Sequence, residues 1–209
     1  MSRKWITDII ARNPTSRAPV PWSTWVDTGQ YRPLKAARSV EHRGKSEQLP
    51  KEKAGLSVVA AIHSYFADTP VEFEKCAAAF AMMLLPEIAS LDLTRPSRDG
   101  GRDAVGRLRI GSGPGSILVE FALEAKCYGK SESVGVRQVS RLISRLRHRQ
   151  FGILVTTSYL DVYAYKEIKE DQHPVLVISA VDIVELLRRN GLTTAESVSV
   201  WLKSEFPLE

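Results

Sequence analysis

No apolar run in this 209-residue chain approaches the ~18 to 20 residues that a membrane-crossing helix needs, so the sequence offers no helical anchor. The opening "MSRKWITDIIARNPTS" lacks the continuous apolar stretch of a secretory signal, and the expectation is a cytoplasmic protein that does not engage membranes. Cysteine is scarce. Cys76 and Cys127 stand in apolar settings without metal-ligand spacing, which argues against a disulfide framework or a thiolate metal site and reads as two small buried hydrophobes. His63, His148 and His173 show no metal spacing either. Acidic residues are missing altogether from Ser133 to Leu160, and no internal repeat is visible.

Positive charge, by contrast, is concentrated. The net charge is +5; residues 1–53 hold eleven Lys/Arg against five Asp/Glu, and residues 98–149 again hold eleven against five. Residues 150–209 reverse the balance, with five against nine. Two basic blocks fit a polyanion-binding face better than a uniformly solubilised surface.

The first fifty residues mix Pro14, Pro19, Pro21, Pro33 and Pro50 with Trp5, Trp22, Trp25 and Tyr31 and keep no period of 2 or 3.6. Residues 1–55 therefore read as an irregular basic and aromatic arm or linker, and residues 56–209 as one globular domain. Apolar spacing predicts a helix from Leu56 to Phe66. A second helix follows, with Thr69 as N-cap, Pro70 at its first position, Glu72 completing a capping box, an apolar stripe from Phe73 to Leu84, and an end near Pro86. The strands "DAVGRLRI" and "SILVEFALEAKC" flank the turn "GSGPGS" and read as a hairpin. Then come a helix over about Val134 to Gln150, the strand "FGILVTTS", a helical stretch through "YKEIKED", and the strand "PVLVIS". The helix "AVDIVELLRRN", stopped by Gly191, precedes a last helix with a capping box from Thr193 to Glu196. The order implies an α/β domain with a mixed sheet flanked by helices.

Alternation along the second hairpin strand puts Phe121, Leu123, Ala125 and Cys127 on a core face and Glu120, Ala122, Glu124 and Lys126 on a polar one. If the turn is symmetric, paired residue numbers add to 227 and Asp103 lies across from Glu124. Facing carboxylates repel, so a cation belongs between them. Lys126, Arg102, Arg107 or a bound divalent ion could supply it. A hard ion takes oxygen ligands, commonly one or two carboxylates with waters and phosphate oxygens. A plain surface charge ladder would be the alternative, worth a few tenths of a kcal/mol.

Asp103, a hairpin turn, then Glu124-Ala125-Lys126 resembles the PD-(D/E)XK nuclease motif, and "DGGRD" with "LEAK" looks like its Mrr-like restriction endonuclease branch. The resemblance spans about Val71 to Leu192. More narrowly, "SRLISRLRHRQFGILVTTS" and "EIKEDQHPV" are similar to the catalytic part of the AspBHI-type modification-dependent restriction enzymes. It implies a restriction-endonuclease-like fold and a Mg²⁺ (or Mn²⁺) ion on Asp103, Glu124 and the Ala125 carbonyl. Lys126 would assist the nucleophile, and Glu74 would be an accessory acid. Two departures stand out. Arg102 replaces the proline of the motif's name, and the ~70 residues before Val71 are too few for a domain that reads a modified base, which would then be separate or missing.

On the helix after the motif, Val136, Val139, Leu142, Ile143 and Leu146 form one side, while Arg137, Arg141, Arg145 and His148 lie opposite. With no acid nearby, that stripe suits phosphate contacts, and Gln138 could reach the site or a base edge. Trp22 and Trp25, amid Arg17, Arg32, Lys35 and Arg38, either stack on DNA or pack on the core. The expectation is a magnesium-dependent DNA endonuclease serving restriction, with methylation dependence in prospect. It would cut double-stranded DNA as a homodimer or higher assembly. A repair or recombination nuclease and a non-catalytic DNA-binding module are the rivals.

Overall fold

The computed structural model describes Thr28 and residues 43–94, 103–146, 149–170 and 172–208. Trp22, Trp25, the basic residues around them, Arg102 and His148 lie outside these. The chain divides into two compact units, Met1–Val40 and Glu41–Glu209; Thr28 falls in the first and all other described residues in the second.

Helices α1 (Lys45–Gln48) and α2 (Lys53–Tyr65) lead to a 3₁₀ turn (Pro70–Glu72) and α3 (Phe73–Leu84). Strands β1 (Ile88–Leu93), β2 (Ala104–Ile110) and β3 (Ile117–Lys126) follow, then β4 (Ser133–Val134) and α4 (Val136–Arg145). The chain continues through β5 (Phe151–Thr156), β6 (Tyr159–Leu160), α5 (Val162–Glu170), β7 (Val175–Ile178), α6 (Ala180–Arg189) and α7 (Ala195–Glu205). The main sheet has the order β1-β2-β3-β5-β7. Its first three strands are antiparallel, and β3, β5 and β7 run parallel.

Parallel strands are covered on both faces, so they read as nearly continuous apolar runs. Phe121, Leu123, Ile153 and Val155 point to a core shared with Ile62, Phe66, Phe73, Phe80, Ile183 and Leu202. Ala122 and Leu154 point the other way, into a second core with Val139, Leu142, Leu160 and Ile168. Each large side chain buried there contributes roughly 1.5–3 kcal/mol. The α/β class and the mixed sheet agree with the sequence reading.

Several local readings change. Strand β1 is absent from the sequence reading: it is an edge strand with a bulge between Ile88 and Ser90, and its irregular exposure leaves no period-2 signal. Thr69 makes no side-chain cap; its buried Oγ1 has no partner among the described residues, and a 3₁₀ turn intervenes before α3. Glu72, the expected reciprocal cap, is instead held by Lys75 at 2.5 Å. The last helix is capped by Thr194, whose Oγ1 accepts from Ser197 N at 3.2 Å, one residue later than expected. Helix α4 stops at Arg145 because Gln150 already belongs to the sheet: its amide donates to Glu120 O at 3.0 Å and its side chain accepts from Glu120 N at 2.7 Å. Helix α1 lies within the stretch read as irregular. Its Gln48 is buried, donating to Leu160 O at 3.1 Å and accepting from Leu160 N at 2.9 Å. Arg43 grips both Asp182 oxygens, at 2.8 and 3.1 Å.

Gly106 on β2 leaves room for the ring of Phe121. A side-chain carbon there would meet that ring and come within 2.7 Å of Ser90 O, a backbone atom that cannot swing aside. Gly106→Ala should therefore destabilise the domain by about 1–3 kcal/mol, read from the urea unfolding midpoint.

Candidate active site

The β2–β3 ladder runs from Ala104↔Leu123 to Ile110↔Ile117, every pair adding to 227, so the register counted across the turn is the observed one. Asp103 follows one step beyond: its N donates to Leu123 O at 3.2 Å, and its Oδ2 accepts from Ala125 N at 2.5 Å. The hairpin thus delivers Asp103 to the end of β3 where Glu124, Ala125 and Lys126 stand.

Glu124 is 1% exposed, which corrects the reading of its strand face as polar. That face is covered by α4, and Ala122 beneath it is core. A buried carboxylate must be paired. Glu124 Oε1 lies 2.8 Å from Lys126 Nζ, and Oε2 lies 3.0 Å from an Arg145 guanidinium nitrogen. Lys126 also donates to Ala125 O at 2.8 Å and stands 3.9 Å from Asp103 Oδ2. Of the cations considered for the gap between the acids, Lys126 occupies it, whereas Arg107 is turned to Glu120 at 3.6 Å.

Arg145 accordingly leaves the outward stripe. Its partly buried side chain reaches inward to Glu124, while Arg137 and Arg141 are exposed. Val136, assigned to the apolar side, is 38% exposed. Gln138, seven residues before Arg145 on the same flank of α4, donates to Tyr128 Oη at 3.4 Å. Thr157 fixes the loop after β3: its N donates to Lys126 O at 3.3 Å, and its Oγ1 bonds both Tyr128 N and Tyr128 O at 2.8 Å. Tyr128, Thr157 and the inward role of Arg145 escape the sequence reading. The one available signal is Arg145 standing three residues after the apolar Leu142.

A cleft of about 430 Å³ opens over these groups, lined by Glu74, Asp103, Ala125, Lys126, Cys127 and Tyr128 among others. Cys127 is only partly buried, contrary to expectation, and burial pushes its thiol up to about 11, so it stays protonated. Burial and the neighbouring Asp103 push Glu74 up to about 7. Asp103 is raised too, by burial first and Glu124 second, with Lys126 opposing. Burial and, after it, the neighbouring carboxylates thus both favour the protonated acids. Two carboxylates and a backbone carbonyl are hard oxygen donors of the kind a divalent ion takes, and all three already face one cation, the Lys126 ammonium. Among the described residues no cluster of three or more His, Cys, Asp or Glu forms a metal cage.

The restriction endonuclease family model (Mrr_cat) matches residues 67–187. The chain belongs to the restriction endonuclease family. It is similar over 90% of its length, at 53% identity and a TM-score of 0.78, to the solved structure of the DNA modification-dependent restriction endonuclease AspBHI, covering 49% of that chain. Over 97% of its length it is similar, at 29% identity and a TM-score of 0.70, to the MspJI restriction endonuclease solved in complex with a 27-mer oligonucleotide, covering 48% of that chain. It therefore spans about half the length of these relatives. No curated protein matches. Among the described residues no helix is long and apolar enough to cross a membrane.

Removing Arg145 leaves Oε2 of the buried Glu124 without its cation, with Lys126 on Oε1 alone. Arg145→Ala should cost about 3–5 kcal/mol in urea unfolding, and adding Glu124→Gln should recover part of the loss. Because Glu74 and Asp103 bind protons more tightly in the folded chain, ionising them opposes folding. In divalent-free buffer the Glu74 contribution should be fully present below its ordinary value of 4.5 and lost as pH rises through about 7, with Asp103 acting in the same direction. Glu74→Gln should flatten that decline, measured by chemical denaturation across the range.

Proposed function

We propose that this chain is the catalytic part of a Mg²⁺- or Mn²⁺-dependent DNA endonuclease that hydrolyses phosphodiester bonds in restriction, directed at modified DNA. The observation that carries the reading is the convergence of Asp103 Oδ2, Glu124 Oε1 and the Ala125 carbonyl on one ammonium in an open cleft. Those three oxygens would hold the ion. When bound, it would supply the charge that polarises a phosphodiester and acidifies a water molecule.

The chain's own groups do the rest. Lys126, given up by the carboxylates, turns its ammonium to the negative charge that builds on phosphorus as water attacks and the sugar oxygen departs. Glu74, titrating near neutrality, can take the proton that the attacking water loses. Arg145 pairs with Glu124 and orients it, a role in place of the phosphate contact expected of it. Exposed Arg137 and Arg141 hold the DNA backbone, and Gln138 acts on the cleft through Tyr128. The relative named as modification-dependent supports a modified target, and the relative solved with an oligonucleotide supports a DNA substrate. Cutting both strands requires two such sites, hence a second copy on the duplex.

The test is incubation of methylated and unmethylated plasmid with the full chain and Mg²⁺. The parent should linearise methylated plasmid, while Glu124→Ala and Lys126→Ala should each lose at least about 100-fold in rate. Undiminished cutting by both variants would overturn the mechanism.

A further inference from the structure

A second depression adjoins the catalytic cleft. It encloses about 490 Å³ between α2 and the loop 128–131, and it meets the cleft at His63 and Tyr128, which line both. Its floor is apolar, with Leu49, Pro50 and Leu56. Its polar wall carries Lys53, His63 and Lys130, and no carboxylate lines it.

The charge arrangement is specific to this groove. Neither the Lys53 nor the Lys130 ammonium has a partner among the described residues, although both are exposed. Glu52, the acid beside Lys53 in sequence, is turned to Arg188 at 2.5 Å. Glu132, at the cleft side of the junction, accepts from Gly129 N at 3.0 Å through its Oε2. The imidazole lies against the same loop, since a side-chain carbon at Gly129 would stand 3.6 Å from His63 Nε2. A cationic wall over an apolar floor, leading out of a cleft read as cutting DNA, matches one strand of that DNA: phosphates on one side, the apolar faces of the sugars on the other.

We propose that the groove holds the scissile strand where it leaves the catalytic cleft, its phosphates on Lys53, His63 and Lys130 and its sugars over Leu49, Pro50 and Leu56. The assignment rests on the nuclease reading of the cleft and adds the path of the substrate to it. Phosphate contacts of this kind release counterions, so each lost contact weakens binding and lowers its salt dependence.

The experiment measures fluorescence anisotropy of a labelled duplex with the full chain, Ca²⁺ replacing Mg²⁺ to prevent cutting, for the parent, Lys53→Glu, Lys130→Glu and the control Lys203→Glu on α7. Each groove variant should bind about tenfold more weakly, with the slope of log affinity against log salt reduced by about one; the control should match the parent. Photocrosslinking of a 5-iododeoxyuridine duplex should label peptides containing His63 or Tyr128. Parental affinity in both groove variants, with crosslinks elsewhere, would overturn the groove while leaving the nuclease reading intact. A parent that neither binds nor cuts DNA would overturn both.

Discussion

The domain is organised around pairing one carboxylate with cations where water does not reach. Glu124 is 1% exposed in the middle strand of a five-stranded sheet. Removing such a charge from water costs several kcal/mol unless its oxygens are met by cations. Lys126 meets one oxygen from the same strand, and Arg145 meets the other from the helix covering that face. The position of α4 over the sheet is thereby tied to the chemistry. Leu142 and Val139 pack it down, and Arg145, at its last turn, reaches the acid.

The sheet explains why the cluster gathers at one end. Strand β3 has an antiparallel neighbour on one side and a parallel one on the other. The antiparallel hairpin brings Asp103 back to the end of β3, and the parallel partner β5 sends Thr157 out of the same end to pin the Lys126 and Tyr128 backbone. A crevice beyond the carboxyl ends of parallel strands, where the strand direction switches, is a common place for α/β folds to bind ligands. The cleft walls here come from α2, α3 and the loop after β3, all anchored in one core.

The range of the forces involved decides which features are legible in the sequence. A Gly/Pro-rich turn sets a local register, so counting across it is enough to bring Asp103 to Glu124. The carboxylate pair then requires a cation, and one of the candidates is Lys126. Arg145 is misplaced because a helical wheel separates polar from apolar residues without knowing what lies under the helix; a buried acid can draw an arginine inward at the flank of an apolar stripe. Gln48 escapes for a similar reason. It pairs with Leu160, 112 residues away, and nothing near it in sequence announces that partner. Strand β1 escapes because an edge strand half in water keeps no alternation.

The charge balance of the cleft ties its resting state to its action. With Glu74 ionised, three carboxylates, those of Glu74, Asp103 and Glu124, stand against two cations, Lys126 and Arg145, and Glu132, which also lines the cleft, adds to the negative side. The raised proton affinities of Glu74 and Asp103 come first from burial and then from that excess. Such a cluster repels a phosphodiester. On the proposed reading a divalent cation held by these oxygens would offset that excess, which would favour a phosphodiester, and would compete with Lys126 for the acids. On that reading the same residues would hold the lysine in check without the ion and free it toward substrate with it, so that attraction of DNA and activation of the site would be one electrostatic event.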